Sequence, residues 1–161
     1  MRNTVCALLL GLLAGAALVA QQSSTKPNAR QAMGAKYEDL KWQTIVPELG
    51  ADSPQISILR VDPITQATQL LIRVPKPMHI PMHWHGANET HTVIRGTWTF
   101  EHEGVREQLG PGGFNYNPAK MHHQAWASEN ALVFITVDAG WDVNWVSGPP
   151  TKADLGKTPG R

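Results

Sequence analysis

The chain has 161 residues, 42% of them hydrophobic, and its formal net charge at pH 7 is +1. This length corresponds to one domain with a hydrophobic core of its own. Acidic and basic residues are nearly balanced and form no stripe of one sign, which argues against nucleic acid as a partner.

Residues 1–20 have the layout of a secretory signal peptide. Arg2 supplies an early positive charge, and an unbroken apolar run extends from Val5 to Ala20 before the polar sequence QQSSTKPN. A membrane anchor is the alternative, but the run is shorter than a typical span of about 20 apolar residues and is rich in alanine and glycine. We therefore expect cleavage near Ala20, export to the periplasm or the extracellular space, and no membrane attachment afterwards.

Cleavage at this point removes Cys6, the only cysteine of the chain. The mature chain then has no disulfide and no sulfur ligand for a metal, which leaves nitrogen and oxygen as ligand atoms. The two ends of the mature chain are polar and contain proline or glycine, so we predict a flexible linker over residues 21–36 and a flexible tail over residues 148–161. The domain itself is expected to cover residues 37–147.

Within this domain, short segments that alternate apolar and polar residues are separated by proline, glycine, asparagine and aspartate. The clearest of these segments are Gln55–Val61, Thr68–Val74 and Ala131–Val137. Such a pattern predicts an all-β domain. Strands at this even spacing favour a sandwich or a barrel, because a closed sheet leaves few exposed edges.

The sequence PMHWHGANETHTVIRG concentrates residues that are common metal ligands. His83 and His85 are two residues apart on an extended segment, so their side chains point to the same face. The residues Gly86–Asn88 are typical of a turn, and Glu89 begins the next strand. An antiparallel hairpin would therefore place the carboxylate of Glu89 opposite His85.

A further ligand has two candidates in the downstream sequence NPAKMHHQAW. His122 and His123 are adjacent, so alternation along a strand permits only one of them to face the same interior. Three neutral imidazoles and one carboxylate bind a divalent first-row metal, and they leave coordination positions open when the metal is five- or six-coordinate.

These residues resemble the two motifs of the cupin superfamily. The first motif of that family is matched in order and spacing by His83, His85, Glu89 and Gly96. The second is matched in order by Gly112, Pro118 and His123, and this register selects His123 over His122. The chain departs from the family pattern at three positions that are not metal ligands in the family, namely Pro77, Lys120 and Ala127.

The resemblance implies a single jelly-roll β-barrel that holds a divalent transition metal on its inward side chains. The ligands that it implies are His83, His85, Glu89 and His123. By the same resemblance manganese or iron is the leading metal, and the donor set also suits zinc, nickel or copper. A homodimer and a small-molecule substrate or ligand are implied as well.

His91 is the candidate catalytic residue. It follows Glu89 by two residues and therefore shares its inward face, where it moves a proton, holds a substrate or supports a neighbouring ligand.

Arg95 lies on that face only if the strand stays regular, and we expect it to reach solvent. His79 is expected at the surface. Aromatic residues at period two are expected to pack the sheet: Trp141 and Trp145.

Two functions remain open from the sequence. The first is a metal-dependent enzyme, of the dioxygenase, isomerase or lyase type, that acts on a small metabolite. The second is a non-catalytic binding or sensing module in which the metal is structural or anchors a ligand. No motif separates the two, because one fold serves many chemistries.

Overall fold

The structure is a computed structural model that describes residues 32–160. The predicted signal peptide and residues 21–31 of the predicted linker lie outside the described residues. Residues 32–160 form eleven strands: β1 (Gln43–Thr44), β2 (Gln55–Val61), β3 (Thr68–Val74), β4 (Met78–Trp84), β5 (Glu89–Arg95), β6 (Trp98–His102), β7 (Val105–Leu109), β8 (Phe114–Asn117), β9 (His123–Ala127), β10 (Ala131–Val137) and β11 (Asn144–Trp145). The same range contains three short 3₁₀ helices: Tyr37–Asp39, Pro47–Asp52 and Lys152–Asp154.

The strands form two antiparallel sheets that enclose the core as a jelly roll. The six-stranded sheet has the order β1-β2-β3-β10-β5-β8, and the five-stranded sheet has the order β11-β4-β9-β6-β7. The predicted all-β class is confirmed, and the three clearest predicted strands are β2, β3 and β10 with the bounds expected from the sequence.

Alternation along each strand places the apolar side chains between the sheets. Leu70 and Val74 of β3 lie opposite Ile135 and Ala131 of β10, and all four side chains are almost completely buried. From the other sheet, Met78 and Phe100 complete this core, each at most 2% exposed. Burying a side chain of this size stabilises the fold by about 1.5–3 kcal/mol.

The hairpin predicted around residues 86–88 is wrong. Strand β4 pairs with β9 and β11 in one sheet, whereas β5 pairs with β10 and β8 in the other. The turn therefore carries the chain from one sheet across to the opposite sheet. His85 and Glu89 still approach each other, because both side chains point into the space between the sheets.

Strand β4 changes its inward face halfway along its length. Met78 and Ile80 face the interior at its beginning, but His83 faces the interior near its end. The change coincides with an irregular register between Ile80 and His83, where Pro81 has no N–H to donate to the ladder. This irregularity turns His83 inward and leaves His79 on the outside.

The C-terminal segment differs from the flexible tail that the sequence predicts from residue 148. Asp154 accepts hydrogen bonds from the backbone N–H and the hydroxyl of Thr151, at 2.9 and 3.0 Å, and its other oxygen lies 3.1 Å from Nδ1 of His79. Leu155 forms a β-bridge with Met78. A capping box and a buried carboxylate therefore hold residues 151–155 against β4, a pairing that local composition does not reveal.

Gly96 is required by its position in the turn after β5. Its φ is +76°, and an added Cβ would lie 2.6 Å from Oγ of Ser128 and 3.0 Å from Cα of Ala131. Both the left-handed backbone and the close approach exclude a side chain.

Among residues 32–160, no helix combines the length and the hydrophobicity that a membrane span requires.

Candidate metal centre

Three buried histidines converge inside the barrel. His83 on β4 is paired with His123 on β9, and His85 follows immediately after β4. Their available ligand atoms all lie within 4.8 Å of one another, and each residue is at most 6% exposed. The structure therefore brings together the three histidines that the sequence assigns to the metal.

Each of these histidines is held by a main-chain carbonyl on its Nδ1 side. Nδ1 of His83 lies 2.7 Å from the carbonyl oxygen of Pro81, and Nδ1 of His123 lies 3.1 Å from that of Met121. Nδ1 of His85 contacts the carbonyl oxygen of Asp142. A carbonyl only accepts, so each Nδ1 carries a proton, and Nε2 of each ring has its lone pair available when the ring is neutral.

Glu89 lies at one side of this group and is 1% exposed. Its Oε2 is 3.0 Å from Nε2 of His85 and 3.4 Å from Nε2 of His91. Two ligands that each lie about 2.1 Å from one ion, at a right angle, are separated by roughly 3.0 Å. This separation is that of an ion pair and also that of neighbouring ligands on a single ion. Among the described residues, the set whose ligand atoms all lie within 4.8 Å of one another consists of the three histidines, and Glu89 lies outside it.

The protonation of the group suits a cation. Burial, together with the neighbouring His123, lowers the pKa of His83 to about 3, and burial lowers the pKa of His123 to about 4. Burial acts in the same direction on His85, but the adjacent Glu89 outweighs it, so the pKa of His85 is raised. Burial alone would raise the pKa of Glu89, yet His91 and His85 lower it to about 2. At neutral pH the group thus offers the unprotonated imidazoles of His83 and His123 beside the carboxylate of Glu89, which favours the protonated form of His85.

His91, the predicted catalytic residue, is buried beside Glu89. It is 5% exposed, and burial lowers its pKa against the opposing effect of Glu89. On its other side, Nδ1 lies 3.5 Å from Nδ2 of Asn115, and that amide also donates to Oδ1 of Asn117 at 2.9 Å. Because the amide of Asn115 donates to Nδ1, Nε2 of the neutral imidazole carries the proton and faces Glu89, where it can take part in proton transfer.

Sequence reasoning missed the two asparagines for a physical reason. On β8 the alternating residues are Phe114 and Tyr116 on one face and Asn115 and Asn117 on the other, which predicts that the aromatic face is buried. The structure shows the reverse: Phe114 and Tyr116 are 60% and 52% exposed, whereas both asparagines are buried. The pair of asparagines at alternating positions of β8 is the one sequence signal that this strand could face a polar part of the interior.

Trp141 and Asp142 also belong to the site, although the sequence indicates only sheet packing for Trp141. Nε1 of Trp141 donates to Oε1 of Glu89 at 3.3 Å. The carbonyl oxygen of Asp142 contacts His85, and its side chain accepts from the backbone N–H of Gly86 at 2.7 Å. The segment after β10 therefore orients two members of the ligand group.

Three other predicted positions lie away from the group. His79 stacks on Trp126 and lies on the outer face of the five-stranded sheet, as expected for a surface-facing residue. Arg95 is exposed and donates to the carbonyl oxygen of Asn130 at 2.9 Å. His122 is exposed, so of the two adjacent histidines it is His123 that points inward.

A cavity with a volume of about 60 Å³ adjoins the ligand group. Its walls combine the ligand histidines, Glu89 and His91 with aliphatic and aromatic side chains from both sheets. Trp141, Val143 and Trp145 are partly exposed and mark the side on which the cavity meets the solvent. These three residues are the part of the cavity wall that lies nearest to the solvent.

These donors fit a divalent transition metal. Oε2 of Glu89 is buried and has no hydrogen-bond partner of good geometry, although two imidazoles lie within 3.4 Å of it. A buried, ionised oxygen left in this way is costly unless a cation or a proton satisfies it. The three available Nε2 atoms supply the remaining ligands, and nitrogen and oxygen donors of this kind suit first-row divalent ions.

Comparison with known families and structures agrees with this geometry. The model of the ChrR cupin-like domain family matches residues 30–140. No curated protein matches the sequence.

Solved structures share the fold at low sequence identity. The polyketide cyclase RemF from Streptomyces resistomycificus is 19% identical over 72% of this chain and 86% of its own, with a TM-score of 0.58. A putative acetylacetone dioxygenase from Methylibium petroleiphilum PM1 is 12% identical over 75% of this chain and 87% of its own, with a TM-score of 0.58. One chain in the structure of Rhodobacter sphaeroides SigE in complex with the anti-sigma ChrR is 20% identical over 64% of this chain and 51% of its own, with a TM-score of 0.51.

Proposed function

Because the chain belongs to the ChrR cupin-like family of the cupin superfamily, we propose that it binds a divalent transition metal and acts as a metal-dependent enzyme on a small molecule. The observation that carries the proposal is the convergence of three buried histidines whose Nδ1 atoms are all held by main-chain carbonyls. This arrangement fixes the Nε2 lone pairs toward one point before any ion arrives, which favours tight binding.

The proposed ligands are His83, His85, His123 and Glu89. Manganese or iron is the leading metal by family resemblance, and zinc, nickel or copper also suits three imidazoles and a carboxylate. When bound, such an ion acts as a Lewis acid or activates oxygen. With four protein ligands on a five- or six-coordinate ion, a position remains for a substrate or a water.

The chain's own contribution to the chemistry is proton transfer and exclusion of water. His91 is neutral and buried, and its Nε2, which carries the proton because Nδ1 accepts from Asn115, lies 3.4 Å from Oε2 of Glu89. It is therefore placed to move a proton between that carboxylate and a molecule held beside the ligand group. Asn115 lies behind His91 and restrains the ring. The aromatic rim formed by Trp141 and Trp145 narrows the access of water to this point.

Elemental analysis of protein purified without added metal tests the proposal. We expect about one metal ion per chain in the wild type and its loss in His123→Ala. His122→Ala is the matched control, because the neighbouring side chain is exposed and outside the ligand group. Equal metal content in the two variants would contradict the assignment. Oxygen-uptake screening with the identified ion restored then tests for dioxygenase chemistry.

The second candidate is a non-catalytic sensor, in which metal or ligand occupancy alters the surface that another protein contacts. It is favoured by the family match and by a structural neighbour that is an anti-sigma protein in complex with SigE. Turnover of any small molecule that is abolished by His123→Ala, and retained by His122→Ala, supports the enzyme over the sensor. Metal binding without turnover, together with a metal-dependent change in partner binding, supports the sensor.

We further propose export of the mature chain and assembly as a homodimer. Export is supported by the apolar segment near the N-terminus, and the homodimer by resemblance to small cupins. Mass spectrometry of the protein recovered from the producing cell tests the first, and sedimentation analysis of the purified chain tests the second.

A further inference from the structure

The cavity beside the ligand group has a strongly apolar wall. Apart from the five titratable residues already described, its lining is made of aliphatic, aromatic and proline side chains, among them Ile80, Phe100, Ile135 and Val143. Such a wall offers hydrocarbon contacts, and its side chains provide no hydrogen-bond acceptor, because the indole N–H groups of Trp98, Trp141 and Trp145 only donate. The wall therefore favours a ligand surface made of hydrocarbon, which loses no hydrogen bond to water on binding.

The wall also lacks a positive side chain. Within residues 32–160, no lysine or arginine lines the cavity. Arg95, the residue that could have clamped an anion from its strand, reaches the surface and donates to the carbonyl of Asn130 instead. A second negative charge on a ligand would therefore be buried without a counter-ion, which is strongly unfavourable.

The size of the cavity limits the ligand further. A volume of about 60 Å³ is roughly four times the space that a single buried water requires. Beyond the group that reaches the ligand histidines, there is room for only a few non-hydrogen atoms.

We propose that the site is selective for a small ligand with one oxygen-bearing head group and an uncharged hydrocarbon remainder of about three or four carbons. The head group lies toward the histidine group, and the hydrocarbon part packs against Ile80, Phe100 and Ile135. Sugars, phosphate esters and dicarboxylates are excluded by the wall. This inference rests on the proposed metal site for the position of the head group, and on the cavity alone for the apolar remainder.

Three acids with the same head group and chain length test the selectivity. Butyrate, 4-hydroxybutyrate and succinate are titrated into protein loaded with Co²⁺, and binding is followed by the visible spectrum of the metal. Leaving the hydrogen of one hydroxyl without an acceptor costs about 1–3 kcal/mol, so 4-hydroxybutyrate should bind about 5- to 150-fold more weakly than butyrate, and succinate more weakly still. Succinate or 4-hydroxybutyrate binding as tightly as butyrate would overturn the proposal.

A substitution in the wall provides a reciprocal test. Val143 lines the cavity and is half-buried, so Val143→Lys introduces the missing cation at the solvent side. The preference for butyrate over succinate should fall by about tenfold or more in this variant. Val146→Lys is the matched control, because Val146 is 51% exposed, and its preference should equal that of the wild type. The same change in both variants would overturn the proposal.

A measurement on metal-free protein separates this inference from the metal assignment. Xenon should shift the methyl resonances of Ile80 and Ile135, because a small apolar cavity binds this single apolar atom, whereas glycerol should leave them unchanged. A xenon effect without Co²⁺ binding would reject the metal site and keep the apolar cavity. Co²⁺ binding without any xenon effect would reject the apolar ligand and keep the metal site.

Discussion

Replacing Glu89 by glutamine removes the one negative charge from the histidine group and changes its shape very little. The carboxylate is 1% exposed, and Oε2 lies 3.0 Å from Nε2 of His85, the spacing expected for two donors on the same ion. Residues that only orient a ligand contribute about 10–100-fold to metal affinity. A direct anionic ligand should contribute more, so we expect Glu89→Gln to weaken Co²⁺ or Zn²⁺ binding by more than about 100-fold, or about 2.7 kcal/mol.

The affinity is measured by competition with a chromophoric chelator at fixed pH, and circular dichroism monitors the fold. Glu129→Gln is the matched control, because Glu129 is exposed and distant from the group, and its affinity should equal that of the wild type. A loss of less than tenfold in a folded Glu89→Gln protein would refute the direct-ligand role. A loss between these values would place Glu89 behind His85 as its orienting partner.

Three further predictions address the surroundings of the site and the backbone. Trp141→Phe keeps the ring but removes the N–H that donates to Glu89, so metal affinity should fall by about tenfold; an unchanged value in the same competition assay would show that this hydrogen bond does not position the carboxylate. Metal binding at pH 6 should release about one proton, mainly from His85, since the other two histidines have pKa values of about 3 and 4 and are already neutral; three histidines of ordinary pKa would release more than about two, as calorimetry in buffers of different ionisation enthalpy would show. Lys120 has a φ of 66°, so Lys120→Gly should raise the free energy of unfolding by up to about 1 kcal/mol in urea titrations, whereas Lys76→Gly, at a position without positive φ, should not.

The ligand positions could be predicted from the sequence because the motif spacing encodes them directly. Two histidines separated by one residue must share a face of an extended segment, and His83 and His85 do so in the structure. The route by which Glu89 reaches them could not be predicted, because a short polar turn serves equally for a hairpin and for a crossing between two sheets. Only the pairing partners of each strand decide between these, and pairing is a long-range property.

The other two differences between the sequence-based prediction and the structure, in β4 and in the C-terminal segment, also arise from long-range pairing. The irregularity at Pro81 reverses the inward face of β4, so parity counted back from His83 fails at His79. The C-terminal segment is held by Asp154 and by the bridge of Leu155 to β4, contacts between residues more than seventy positions apart. Local composition describes what a segment prefers in isolation, whereas these segments are placed by distant partners.

The main-chain carbonyls behind the three histidines have a consequence for how this protein can change over generations. Any amino acid supplies a carbonyl, so the residue at position 121 can be exchanged without disturbing the ring of His123, provided that the local backbone path is kept. Position 142 is less free, because the side chain of Asp142 also accepts from the backbone N–H of Gly86. The hydrogen bond to the carboxylate comes from the indole of Trp141, so a substitution there should shift the position of that carboxylate while its negative charge is kept.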